Sequence, residues 1–178
     1  MTNVSAQKIK ELQDIARQVR RDIISMIYKS GSGHPGGSLG MADIFTALYF
    51  DILKHNPQNP DDPERNRLVL SNGHICPVQY ASLALAGYFP LEDLQTLRKF
   101  GSGLQGHPQR KFLPGIETTS GPLGCGLSQA CGMAWVGKQT QKDWRVYCLM
   151  SDAEHEEGNV WEGVMFAAKY KLNNLTAL

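Results

Sequence analysis

The stretch WRVYCLM–SDAEHEEG, residues 144–158, decides the fold. Its first seven residues are mostly aliphatic or aromatic, which predicts a buried strand, and a loop rich in carboxylates follows. Segments with helical patterns lie on either side, at about residues 123–138 and 159–171. RLVLS at 67–71 and the final NLTAL are two further candidate strands. This order predicts an α/β fold with a mainly parallel sheet flanked by helices.

The N-terminal half is predicted to be mainly helical. Apolar residues recur at spacings of three and four from Ile9 to Ile27, which predicts a long amphipathic helix that ends near Ser30. The segment SGSGHPGGSLG, residues 30–40, then breaks the helix. We expect a second helix that Ser38 caps. Further helices are expected to begin near Pro77 and Pro90.

Composition excludes several classes of protein. The 178 residues include 18 Lys and Arg and 17 Asp and Glu, for a net charge of +1. This balance argues against a disordered chain and against a nucleic-acid binder. No apolar run approaches the roughly 18 residues of a membrane span, and the polar N-terminus does not resemble a signal peptide. The four cysteines form no CxxC pair, so we expect free buried thiols and a cytoplasmic location.

The last candidate strand stops after four or five residues. A strand at this position would leave its βαβ unit incomplete. We therefore expect residues 1–178 to be one partial domain of a longer fold.

The acidic loop has two interpretations. It contains four carboxylates within six positions, Asp152, Glu154, Glu156 and Glu157. Ligands of parallel sheets bind beyond the carboxyl ends of the strands, and Mg²⁺ takes one or two protein carboxylates together with phosphate oxygens and water. The alternative is a solvated acidic loop in which the pattern Ser-x-x-Glu, from residue 151, caps a helix. The local pattern leaves both open.

Three histidines follow glycine, namely His34, His74 and His107. Such turns can bring a backbone and an imidazole close to a ligand, although a structural role is the commoner one. The segment SGPLGCG, residues 120–126, precedes a helix whose first N–H groups could hold a phosphate. Neither GxGxxG nor GxxxxGK[ST] is present, which argues against a generic nucleotide-binding domain.

Five motifs in order, over about residues 8–178, resemble the thiamine-diphosphate half of transketolase. SGSGHPGGSLG resembles the family's SGHPG segment, RLVLSNGH its FVLSNGH segment, and GYFPLEDLQTLRKFGSGLQGHP its LRQxGS…GHP stretch. TTSGPLGCGLSQACGMA is similar to TTGPLGQGxxxAVGMA, and SDAEHEEGNVWEGVMFAAKYKLNNL to GDGExxEGxxWEAxxxAxxxKLxNL. Deoxyxylulose-phosphate synthase, a related enzyme, lacks the SGHPG and EGxxWE forms. The resemblance implies a thiamine-diphosphate-binding fold of the PP type.

The resemblance also implies a cofactor site. Asp152 matches the aspartate that binds Mg²⁺, with Ca²⁺ or Mn²⁺ as alternative ions. The diphosphate and thiazole are held in the family by positions that match four residues here, His74, Gly121, Leu123 and Ala153.

Other matched positions concern the substrate and a subunit interface. His34 and His107 match histidines that contact the donor sugar and polarise its oxygens. Glu157 and Glu162 match acidic residues at the subunit interface, close to the partner's glutamate that activates the aminopyrimidine. We therefore count Glu162 with the histidines as a candidate catalytic residue.

Two features depart from the family pattern. The family's GDG is Ser151-Asp152-Ala153 here. If the site requires a positive φ, the Cβ of Ala153 costs about 1–2 kcal/mol. In addition, the family's second metal ligand, an asparagine, would fall beyond Leu178, and Asn173 and Asn174 precede the strand that leads to it.

The resemblance implies transfer of a two-carbon ketol unit from a ketose phosphate to an aldose phosphate in the pentose phosphate pathway. Some transketolases are encoded as two chains, and the HEEGNVWE form is closer to that type. We therefore expect a C-terminal half-subunit as partner, a dimer of heterodimers, and no activity from this chain alone. The alternative is an inactive transketolase-like scaffold or regulatory subunit, suggested by the SDA sequence.

Overall fold

The computed structural model describes residues 4–178. Contacts divide the chain into two compact units. We call Met1–Leu53 with Ile75–Gly106 the helical unit, and Lys54–His74 with His107–Leu178 the sheet unit. The assignment of residues 1–178 to one partial domain stays a prediction.

The sheet unit is built on three parallel strands, β1 (Arg67–Leu70), β2 (Val146–Leu149) and β3 (Leu175–Ala177), in that spatial order. Cys148 on the central strand pairs with Val69 on one side and with Ala177 on the other. All four residues of β2 are buried, as a central parallel strand requires. The predicted parallel sheet is confirmed.

Two helices of the sheet unit pack closely together, α5 (Cys125–Gln139) and α6 (Gly158–Lys169). Their bounds differ by about two residues from the predicted ones. A Cβ at Gly163 would lie 3.3 Å from the Leu127 side chain, which would have to shift by a few tenths of an ångström to make room. The Cys131 thiol donates to the Gly163 carbonyl at 3.4 Å. Small residues thus allow the two helices to approach closely.

The helical unit is organised around α1 (Ala6–Ser30). Ser5 caps it by accepting a hydrogen bond from the Lys8 N–H at 3.1 Å, and Gly31 ends it at φ 67° in the left-handed region. Its buried face is Ala16, Val19, Ile23 and Met26. The helix α4 (Cys76–Leu85) packs against it, and Leu91–Thr96 forms a 3₁₀ helix.

The helix after the Gly-rich break starts earlier than predicted. It begins at Pro35 as α2 (Pro35–Gly40), not at Ser38, and continues as α3 (Ala42–Ala47) and a π-helical turn, Leu48–Ile52. Proline suits the first helical position because it has no N–H to leave unpaired. Ser38 lies one turn inside, and its hydroxyl donates to the His34 carbonyl at 2.8 Å.

Within residues 4–178, no helix combines the length and the apolar character needed to cross a membrane.

The cysteines yield the first testable prediction. All four are free thiols; three are buried and Cys125 is half-buried. Burial raises the pKa of Cys76 to about 12, and burial together with the charge of Glu154 raises the pKa of Cys148. Because the thiolate is the nucleophile, iodoacetamide at pH 8 should alkylate Cys125 well before the others, as read by peptide mass spectrometry.

The control is the same reaction in urea, where all four thiols should react at similar rates. Native alkylation of Cys76 as fast as that of Cys125 would contradict the burial described here.

Candidate functional site

The four carboxylates of the acidic loop do not share one environment. Asp152, Glu156 and Glu157 are exposed, whereas Glu154 is fully buried, with 0% of its surface accessible. In this fold the four carboxylates therefore do not bind one cation together. The sequence analysis did not distinguish Glu154 from its neighbours.

Both oxygens of Glu154 are held by hydrogen-bond donors. Oε1 accepts from the Ser71 hydroxyl and from the Gly124 N–H, the latter at 2.8 Å. Oε2 accepts from the N–H and the hydroxyl of Ser151, at 2.8 and 3.2 Å. Ser151 and Glu154 are thus in contact, but Asp152 and not Ser151 is the N-cap of the 3₁₀ helix, and its side chain makes no cap hydrogen bond. The contact between Ser151 and Glu154 belongs to a larger network that joins the ends of β1 and β2 to the start of α5.

The glycines at the start of α5 are explained by this network and by close packing. Gly124 has φ 79°, and a Cβ there would lie 2.6 Å from Asn159 Oδ1. The Gly126 N–H donates to Ser71 Oγ at 3.0 Å. The amides of Gly124 and Gly126 are thus already bonded to protein acceptors. The suggestion that the helix start offers free N–H groups to a phosphate is wrong for these two.

Three loops that carry predicted cofactor or substrate residues converge within the sheet unit. A Cβ at Gly73, beside His74, would lie 2.6 Å from Ser120 Cβ and 3.0 Å from the Gly121 nitrogen. A Cβ at Gly121 would lie 3.9 Å from His107 Cδ2, in ordinary contact. The structure therefore brings His107 and Gly121 together and places the turn of His74 against the same segment.

A narrow crevice lies at this convergence. It is lined by the end of β1, the loop before α5 and the first turns of α5, namely Leu70, Ser71, Thr118, Thr119, Ser120, Gly121, Pro122, Gly126 and Gln129. Ser120 Oγ is buried without a hydrogen-bond partner, and so is Asn72 Oδ1, next to Gly73. Each of these two atoms keeps a hydrogen-bonding position that a polar ligand could occupy.

The predicted metal position lies at the carboxyl end of the central strand. Asp152 is exposed and has right-handed backbone angles, φ −56° and ψ −46°. No group of three or more metal-binding side chains was found in residues 4–178. Leu123 is 39% exposed, one residue before the Gly124 amide that Glu154 holds.

Ala153 does not carry the strain that the sequence suggested. It begins a 3₁₀ helix, Ala153–Glu156. The non-glycine residues with positive φ in the described part of the chain are Arg98, Gln141 and Lys171. The Cβ of Ala153 is therefore compatible with the turn.

Of the remaining predicted residues, Glu157 lies beside Gly124, where an added Cβ would come within 2.8 Å of Glu157 Cβ. His34 belongs to the helical unit, where it is exposed and precedes α2. Glu157 is exposed and precedes α6. Glu162 is exposed on α6 and lines a cavity of about 270 Å³ between α5 and α6, together with Ser128, Cys131, Gly132, Gly163 and Phe166.

Known proteins resemble this chain over almost all of its length. Residues 11–178 match the family model of the transketolase thiamine diphosphate binding domain. Human transketolase is 43% identical over 97% of this chain, which spans 28% of that protein. The 6-deoxy-6-sulfo-D-fructose transketolase subunit SqwG of Clostridium sp. (strain MSTE9) is 44% identical over 98% of this chain, which spans 63% of SqwG. The crystal structure of Campylobacter jejuni transketolase has a TM-score of 0.88 and 37% identity, covering 99% of this chain and 28% of that one.

Loops that gather beyond the carboxyl ends of a parallel sheet are the place where α/β domains bind their ligands. The comparisons make the assignment specific. The chain belongs to the transketolase family, and it contains that family's thiamine-diphosphate-binding domain.

The glycine contacts yield a stability prediction. A Cβ at Gly126 would lie 2.7 Å from Ser71 Cα and closer still to Ser71 Cβ. Because neither atom can move without shifting β1, Gly126→Ala should lower the free energy of unfolding by about 1–3 kcal/mol, as measured by urea denaturation.

Gly132→Ala is the matched control on the same helix. Gly132 is exposed and a Cβ there would meet nothing within 4 Å, so the change should be neutral or stabilise by up to about 1 kcal/mol. Equal effects of the two substitutions would contradict the close contact between α5 and β1.

Proposed function

We propose that this chain binds thiamine diphosphate through a divalent cation and forms the N-terminal part of a transketolase. In this proposal the assembled enzyme transfers a two-carbon ketol unit from a ketose phosphate to an aldose phosphate. The observation that carries the proposal is the convergence of the loops of His74, His107 and Gly121 in a chain that matches the family's cofactor domain.

The residues present fit the cofactor. Asp152 offers one exposed carboxylate, which suits Mg²⁺ because that ion completes its shell with phosphate oxygens and water. His74, Gly121, Leu123 and Ala153 would hold the diphosphate and thiazole. Mg²⁺ is the proposed ion, and Ca²⁺ or Mn²⁺ would suit the same oxygen donor.

Bound thiamine diphosphate supplies an electron sink for cleaving the carbon–carbon bond of the ketose. The chain's own contribution is to bind and polarise the substrate. A hydrogen bond from an imidazole N–H to a developing alkoxide stabilises the transition state by roughly 3 kcal/mol. We assign this role to His34 and His107 because both match the family's sugar-binding histidines.

A partner is part of the proposal. The chain spans about 28% of the single-chain transketolases that it matches and 63% of SqwG, whose name describes a subunit. We propose that a C-terminal half-subunit supplies the rest of the enzyme. Two such heterodimers would then associate.

The exposed face of α6 supports a subunit interface. Trp161, Met165 and Phe166 are 54%, 64% and 37% exposed, although they are large and apolar. Large apolar side chains exposed together on one helix are typical of an interaction site. Glu162 lies on the same helix, so we propose that this face meets a second copy of the chain and places Glu162 near the partner's glutamate.

The setting proposed for this activity is carbohydrate metabolism in the cytoplasm, with pentose phosphates as the substrate class. Four free cysteines, three of them buried, are compatible with a reducing compartment.

The central test is cofactor binding by the complete assembly of this chain with its partner. Asp152→Ala should weaken thiamine diphosphate binding at least tenfold in the presence of Mg²⁺, because the diphosphate loses its metal link. Isothermal titration calorimetry measures the change. Asp143→Ala, at another exposed aspartate in the loop before β2, is the control and should bind as the unsubstituted protein does.

Unchanged affinity of Asp152→Ala would show that the metal sits elsewhere. If the unsubstituted assembly binds no cofactor and transfers no two-carbon unit, while a known transketolase does both, the proposal is wrong. The inactive scaffold would then be the better description.

The interface proposal has its own test. Met165→Asp should shift the assembly toward a single heterodimer, because a charge would be buried in an apolar contact. Sedimentation velocity measures the mass. Ile24→Asp, at a residue of similar exposure (56%) on α1, should leave the mass unchanged, and a wild-type mass for both variants would contradict the assignment.

A further inference from the structure

We propose that Glu154 is a positioning residue that holds the loops of the cofactor site in register before the cofactor binds. The inference rests on the proposed function, since it assigns a role toward thiamine diphosphate. Glu154 would not touch the cofactor. It would act through the backbone of the residues that do.

The contacts of Glu154 reach every cofactor-binding segment proposed above. Ser151, bonded to Oε2, directly precedes Asp152. Gly124, bonded to Oε1, directly follows Leu123. Ser71, also bonded to Oε1, lies three residues before His74. One carboxylate thus ties together the loops that carry the metal ligand, the glycine-rich segment and the histidine.

The hydrogen-bond network continues through Ser71 into α5. The Gly126 N–H donates to the Ser71 oxygen, so the single Ser71 hydroxyl proton is left to donate to Glu154. The direction of both hydrogen bonds is therefore fixed. At the start of α5, the Gly126 amide is thus bound to Ser71 at the end of β1, and the Gly124 amide is bound to Glu154.

Only a carboxylate satisfies this set of donors. Its two oxygens accept four hydrogen bonds, two of them from backbone N–H groups that cannot rotate. A glutamine would replace one oxygen with an NH₂ group, which would face the N–H of either Gly124 or Ser151. A hydroxyl could turn to accept, but a backbone amide cannot. One of the two loops must therefore move away.

The test compares Glu154→Gln with Glu156→Gln in the complete assembly. Both replace a carboxylate in the same 3₁₀ helix, but Glu156 is exposed. Calorimetric titration with thiamine diphosphate and Mg²⁺ gives the dissociation constant and the number of sites separately. Glu154→Gln should raise the dissociation constant at least tenfold with the number of sites unchanged, and Glu156→Gln should stay within twofold of the unsubstituted protein.

The number of sites separates positioning from stability. A purely structural role would lower the folded fraction, and so the number of sites, while the dissociation constant stayed the same. That result would overturn the inference, as would full occupancy with unchanged affinity. If Glu154→Gln does not fold, Ser71→Ala removes one donor and keeps both amide contacts to Glu154. Its dissociation constant should rise about threefold or more, and an unchanged value would overturn the inference.

The titrations distinguish a failure of the positioning role of Glu154 from a failure of the proposed function. Tight binding by the unsubstituted assembly and by Glu154→Gln alike would remove the positioning role and leave the function intact. No binding by the unsubstituted assembly would refute the function and this inference with it.

Discussion

A buried carboxylate must be surrounded by donors, and this requirement fixes the loops above the sheet. Removing an ion from water costs several kcal/mol even after the protein relaxes. Glu154 is fully buried and is compensated by four hydrogen bonds, from Ser71, Gly124 and Ser151. Hydrogen bonds to charged groups contribute about 1.5–3 kcal/mol each, so the complete set offsets the burial. If one backbone donor is lost, part of the charge on Glu154 stays uncompensated. That loss is by itself sufficient to separate the loops.

The same constraint accounts for the glycines of the segment 120–126. Gly124 is in the left-handed region and Gly126 lies against the end of β1, where a Cβ would overlap Ser71. These residues are therefore small because other residues of the protein lie against them, before any ligand is considered. A Gly-rich helix start is usually interpreted as a phosphate site, and here two of its amides serve the protein. In the proposed site, the contacts left for the cofactor are those of His74, Gly121, Leu123, Ala153 and the metal on Asp152.

Local patterns predicted the elements, and long-range partners decided the site. The run at 144–150 and the periodicity from Ile9 onward were sufficient for β2 and α1, because burial of one face repeats along the chain. Ser38 and Pro35 are both typical of a helix start. The prediction placed the start at Ser38, whereas the helix begins at Pro35. Glu154 could not be singled out in the same way. Glu154 accepts hydrogen bonds from Ser71 and Gly124, which lie 83 and 30 positions earlier in the sequence. Its neighbour Glu156 has the same side chain but is exposed to solvent.

The departure from the family's GDG pattern is best understood through the turn that Glu154 stabilises. A second glycine would be needed if residue 153 had a positive φ, but Ala153 begins a 3₁₀ helix in the right-handed region. The N–H and the hydroxyl of Ser151, at the first glycine position, both donate to Glu154. The substitution to serine thus adds a donor to the buried carboxylate. Both changes are compatible with a turn that presents Asp152 to solvent.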